Sequence, residues 1–145
     1  MKIGIISDHR GYDLKKKLIK EMKDIDFIDL GTNSKESVDY PDYAFKLGEN
    51  IKNKKIDLGI AICSSGIGMS IALNKVKGIR CARVTSIKDV KVTKNDNNSN
   101  VIAFSSNINI SKVKRMIEEF INTPFSGEER HQKRINKIME YEIKH

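Results

Sequence analysis

Five short runs dense in apolar residues, at positions 3–6, 27–30, 58–62, 79–84 and 101–104, recur along the chain with stretches of helical period between them. Runs of this length without polar alternation suit strands buried on both faces, as in a parallel sheet. Between them Leu14, Leu18, Ile19 and Met22 fall at helical spacing, as do Val113, Met116, Ile117, Phe120 and Ile121, and each set makes one apolar stripe. Strand and helix alternate five times. This pattern predicts an α/β fold, a doubly wound, Rossmann-like α/β/α sandwich on a five-stranded parallel sheet, with ligands bound beyond the carboxyl ends of the strands. A further helix is expected near residues 129–143, after the Thr123-Pro124 break, reaching outside the core as an extra C-terminal element. No linker or repeat interrupts residues 1–145, which read as a single domain able to bury about two thirds of its unfolded surface.

Several classes of function are disfavoured by the same chain. Lys2 is followed only by the short apolar run 3–6, and no run approaches the length of a membrane span, so a soluble, cytoplasmic protein is expected. Cys63 and Cys81 form no Cys-x-x-Cys pair and belong to no His/Cys cluster, so neither a disulfide framework nor a metal site is expected. The formal charge of +8 raises the question of a nucleic-acid partner. Lysine outnumbers arginine 21 to 6, and no aromatic residues alternate with the basic runs 15–17 and 52–55 as a base-stacking platform would need. Those runs read as solvated faces, without nucleic acid or membrane as partner.

Three segments fall at strand ends on the binding edge: SDHRG at 7–11, CSSGIG at 63–68 and SSN at 105–107. Residues 64–68 are expected to turn tightly into a helix through Ile71 and Leu73, so that backbone N–H groups face whatever lies above Cys63. The turn suits an oxyanion or a phosphate. It lacks the Gly-Lys-Ser/Thr of a nucleotide-binding loop and the third glycine of a dinucleotide fingerprint. A thiol at this place gains thiolate character, while spacing alone equally fits a small buried core residue. His9 follows Asp8 at another strand end, where the two could be catalytic, cap the next helix or bind an anion. Arg130 and Arg134 are spaced to share one helical face and grip a phosphate, with Lys133 off that face; a solvated helical surface is the alternative.

Together, SDHRGYDLK, DYPDYA, CSSGIGMSIALNKVKGIRCA, NNSNVIAF and TPFSGEERHQKRI resemble, in order and spacing across essentially the whole chain, the motifs of the type B ribose-5-phosphate isomerase family, which includes the galactose-6-phosphate isomerase subunits. The resemblance implies an aldose-ketose isomerase working through an enediolate without metal or organic cofactor, with ribose 5-phosphate and ribulose 5-phosphate as the first-choice pair. Cys63 matches the family's cysteine base; Met69 stands where relatives lacking that cysteine carry a glutamate. Ser65 matches a residue touching the reacting oxygens, and the N–H groups of Ser65, Gly66, Ile67 and Gly68 match the oxyanion site. Asp8 and Tyr40 match residues near the sugar hydroxyls or ring oxygen, and His9, Arg130 and Arg134 match phosphate binders. The family builds each site across two subunits, which implies a homodimer or a tetramer made of two dimers.

Two positions depart from the family pattern. Residues 96–100, Asp-Asn-Asn-Ser-Asn, stand where the family reads like His-Asn-Asp-Thr-Asn, so Asp96 either takes over ring opening, with Asn97 beside it on the substrate, or is a loop residue hydrogen-bonding nearby backbone N–H groups. A carboxyl group is almost wholly ionised at neutral pH and is a poor acid there, although it can accept a proton from an anomeric hydroxyl. Asn107 stands where members acting on ribose 5-phosphate often carry an arginine, which points to weaker phosphate binding or another substrate. A hexose-6-phosphate isomerase, one half of a two-chain enzyme, and a silent sugar-phosphate-binding protein are therefore the rival expectations.

Overall fold

A computed structural model of the chain describes residues 1–145. Five strands, β1 (Lys2–Ser7), β2 (Asp26–Asp29), β3 (Leu58–Cys63), β4 (Cys81–Arg83) and β5 (Val101–Ser105), form one sheet in the order β2-β1-β3-β5-β4. Every pairing is parallel, with Ile5 opposite Asp29 and Ile60, and Cys63 opposite Ser105. The helices are α1 (Tyr12–Glu21), α2 (Tyr40–Lys52), α3 (Ile67–Leu73), α4 (Ile87–Asn97), α5 (Ile110–Asn122) and α6 (Glu129–Lys144).

The two cores lie on opposite faces of the sheet, and alternation along β3 assigns its side chains to them. Leu58, Ile60 and Ile62 pack with Leu14 and Leu18 of α1, Val90 of α4 and Val113, Met116, Ile117 and Phe120 of α5. Ala61 and Cys63 point the other way, into a core with Ala44 and Leu47 of α2 and Met69, Ala72 and Leu73 of α3. All six β3 residues are buried, which is why the strand carries no polar alternation. The predicted sandwich is the one observed.

Two strands are shifted or shorter than their apolar runs. The run at 79–84 narrows to Cys81–Arg83 because β4 is an edge strand pairing only with β5, while the Asn74 amide takes both the N–H and the C=O of Cys81. The second run moves one residue, to Asp26–Asp29. β1 leads to β2 on one side and has β3 on its other side, so the strand order reverses between β1 and β3. That reversal opens the crevice at their carboxyl ends where an α/β sheet receives its ligand.

Candidate active site

The crevice brings together Asp8 and His9 after β1 and Cys63 at the end of β3. Asp8 N–H donates to the Ile62 carbonyl at 3.0 Å, which ties the two strand ends. The buried Asp8 carboxylate accepts from Gly11 N–H at 2.9 Å, so it shapes the turn into α1. His9 Nδ1 accepts from Val38 N–H at 3.3 Å; an accepting Nδ1 puts the ring proton on Nε2, the nitrogen left to meet an anion. The Asp8 carboxylate and the His9 ring are thus held by separate partners.

Above Cys63 the chain turns sharply. Gly66 sits at φ +79°, and a Cβ there would lie 2.8 Å from the Phe104 backbone, so only glycine fits. The turn aims Gly66 N–H at Cys63 Sγ, 3.1 Å away, and Ile67 N–H at Ser65 Oγ, also 3.1 Å. Two of the four expected oxyanion donors are therefore engaged inside the turn. The N–H groups of Ser65 and Gly68 have no acceptor in the chain, and that of Met69 joins them. Tyr40, at the start of α2, lies across Gly68, where a Cβ would come within 2.8 Å of its hydroxyl oxygen. Cys63, Tyr40 and the free amides share one side of the sheet.

The turn is braced by Arg83, which the sequence pattern did not single out, and by the SSN segment, which it placed on the binding edge. Arg83 of β4 donates through Nε to the Ser65 carbonyl at 3.1 Å, and Ser105 Oγ donates to the Ser64 carbonyl at 2.7 Å. Ser106 N–H takes the Cys63 carbonyl at 2.8 Å. The SSN segment thus acts on the turn from the neighbouring strand. Asn107 N–H is spent on Ser105 Oγ at 3.0 Å.

Asp96, Asn97, Arg130 and Arg134 are elsewhere. α4 starts after β4 at the carboxyl edge and runs back toward the start of β5, so its last residues are carried about 15 Å toward the opposite edge. Asp96 and Asn97 line a groove of about 480 Å³ between α4, α6 and β4, together with Cys81, His131, Arg134 and Ile135; none of Asp8, His9, Tyr40, Cys63 or Ser65 reaches it. Arg130 is exposed, and its guanidinium is held at 3.0 Å by Glu128. Arg130 and Arg134 share a shallow cleft with Lys133 and Lys137, so Lys133 is not off their face as the spacing predicted. Arg80 fixes this region by donating to the carbonyls of Asn97, at 3.1 Å, and Asn98, at 2.8 Å, at the end of α4. One chain thus carries the two halves of the expected site at opposite edges of its sheet.

A doubly wound sheet holding a thiol beneath a turn with free amide N–H groups defines a class of protein: one that can take a proton next to an oxygen and hold the resulting oxyanion. The chain belongs to the ribose/galactose isomerase family, whose family model matches residues 3–138. It is 33% identical to ribose-5-phosphate isomerase B of Escherichia coli over 140 residues, covering 94% of this chain and 93% of that one. Among solved structures, ribose-5-phosphate isomerase B of Clostridium thermocellum superposes with a TM-score of 0.94 at 39% identity, covering 99% of both chains. The enzyme of the same name from Mycoplasma genitalium, solved with ribulose-5-phosphate bound, superposes with a TM-score of 0.91 at 39% identity, covering 99% of this chain and 97% of that one.

Proposed function

We propose that the protein interconverts ribose 5-phosphate and ribulose 5-phosphate, with Cys63 as the base. The observation that carries this reading is buried Cys63, its sulfur beneath a turn that gives it one N–H and leaves those of Ser65, Gly68 and Met69 free. In the open-chain aldose the carbonyl acidifies the neighbouring C2–H. The Cys63 thiolate takes that proton, the electron pair moves through the C1–C2 bond, and negative charge arrives on the carbonyl oxygen. Free amide donors fixed at that point favour the enediolate over the neutral sugar. Return of the proton to C1, with transfer of the O2 proton to O1, completes the ketose. Met69 is buried and apolar and offers no second base.

Asp8 and Tyr40 contact the sugar hydroxyls, Ser65 the reacting oxygens, and His9 one side of the phosphate. The other side is supplied by Arg130 and Arg134 of a second copy, together with its Asp96 and Asn97, because no single chain brings these groups to its own Cys63. A homodimer, alone or paired into a tetramer, follows. Exposed Ile67 and Ile71, on α3 beside the turn, give the second copy an apolar surface to cover. No helix is long and apolar enough to cross a membrane, and the two free thiols suit the reducing cytoplasm.

Purified protein should convert ribose 5-phosphate to ribulose 5-phosphate, and Cys63→Ala should abolish turnover while inorganic phosphate and substrate still raise the melting temperature. Near-normal turnover in the variant would remove Cys63 from the mechanism.

A further inference from the structure

His131 belongs to no part of the reaction described so far, yet it is one of the few polar side chains the fold buries. Its side chain is 8% exposed, in the first turns of α6, and its Nε2 lies 3.5 Å from Asp96 Oδ1 and 3.2 Å from Glu128 Oε2. A nitrogen facing two carboxylate oxygens carries the hydrogen. Asp96 is 37% exposed, and its Oδ1 also accepts from the Asn95 amide at 2.8 Å, so both neighbours engage one oxygen and Oδ2 has no hydrogen-bond partner in the chain. Arg134 lines the same groove.

We propose that His131 positions Asp96 as a one-residue proton shuttle that opens the sugar ring. Aldose phosphates exist mostly as rings, and isomerisation needs the open chain. Opening moves one proton from the anomeric hydroxyl to the ring oxygen while the bond from C1 to the ring oxygen breaks. Asp96 Oδ2 takes the anomeric proton, the O1 electron pair forms the C1 carbonyl, the departing pair settles on the ring oxygen, and Oδ2 returns the proton there. Protons and electrons balance without a co-reactant. A carboxylate that only has to accept and return the same proton need not be protonated beforehand, which removes the objection to an aspartate here. It must instead be held still, and the His131 Nε2 beside its Oδ1 does that. The imidazole is the group that Asp96 shares with Glu128, whose other partner is the Arg130 guanidinium. The inference rests on the isomerase reading above and on Asp96 entering the site of a second copy. His131 is a positioning residue, since its Nε2 is turned to the Asp96 and Glu128 carboxylates.

The test is the initial rate plotted against enzyme concentration, measured separately from ribose 5-phosphate and from ribulose 5-phosphate. Wild type should be linear from both. His131→Ala should stay linear from the ketose, which cannot close to a furanose, but from the aldose should level off at the rate at which the ring opens unaided in solution. A merely structural loss would lower both slopes and keep both lines straight. If His131→Ala fails to fold, Asp96→Asn, which keeps a polar partner for His131 but cannot carry the proton, should level off in the same way. A straight aldose line in a folded, active variant overturns the inference while leaving the isomerase reading intact. Wild type inactive on both sugars overturns the isomerase reading, and this inference with it.

Discussion

Cys63 and Cys81 are one residue type in two settings, and the difference decides which can do chemistry. Burial pushes the Cys81 thiol up to about 12, so it stays protonated at any physiological pH. Cys63 is aimed at by an amide N–H and sits under a turn whose Gly66 lies against the Phe104 backbone and whose Gly68 lies against the Tyr40 ring. Iodoacetamide at mildly alkaline pH is expected to place one adduct on the folded wild type and none on Cys63→Ala, read by intact mass. An adduct on Cys81 would contradict this contrast. Cys63 was legible in the sequence because a thiol before a glycine turn at the end of an apolar run has few places to be. Arg83 and His131 were not legible as site-building residues, since each acts across a sequence separation that no local pattern encodes, whereas Ser105 was legible as part of the binding edge though not its bond to the turn. His131 meets Asp96 only because α6 folds back over the end of α4.

At the scale of elements, the turn and the helix beside it carry the stability that the chemistry depends on. Gly66→Ala would hold an alanine at positive φ against the Phe104 backbone, at a cost on the order of 2 kcal/mol or more. Chemical denaturation should show that loss, and turnover should fall further, since any relaxation moves the amides away from the sulfur. α1 holds a different burden. Its Lys15 side chain is fully buried and paired with Asp29, and burial holds the ammonium below its usual 10.5 despite that partner. A lysine depressed in the fold binds fewer protons folded than unfolded, so its charge costs stability below the folded value and the cost fades as pH climbs to 10.5. The stability of wild type relative to Lys15→Met should therefore improve as pH rises toward that value; a difference independent of pH would contradict the assignment. The central strands β1, β3 and β5 were readable because both faces of the sheet are covered there, which leaves unbroken apolar runs. β4 was overestimated because an edge strand ends where side chains such as Asn74 take its backbone groups. α4 gave no apolar stripe because Thr93 and Lys94 fill its inner face, with Lys94 laid under the Phe120 ring at 5.1 Å.

For the whole molecule, the directions of the helices matter more than any contact. Because α4 and α5 run away from the carboxyl edge, the residues they lead to, Asp96 and the arginines of α6, end together and away from Cys63 of the same chain. The motifs could be read from the sequence one by one, yet their separation into two halves appears only when the chain is folded. The central claim, one active site built from two copies around Cys63, can be tested by mixing two defective proteins. Cys63→Ala lacks the base and Arg134→Ala lacks a phosphate contact, a loss on the order of ten- to a hundredfold in affinity. Unfolded together and refolded as equal parts, they form hybrids in which one of the two sites keeps both wild-type residues. With substrate held below the wild-type KM, the mixture should regain about a quarter of wild-type activity, far above the sum of the two variants refolded alone. Activity no greater than that sum, in a mixture shown to contain hybrids, would contradict a site shared between chains.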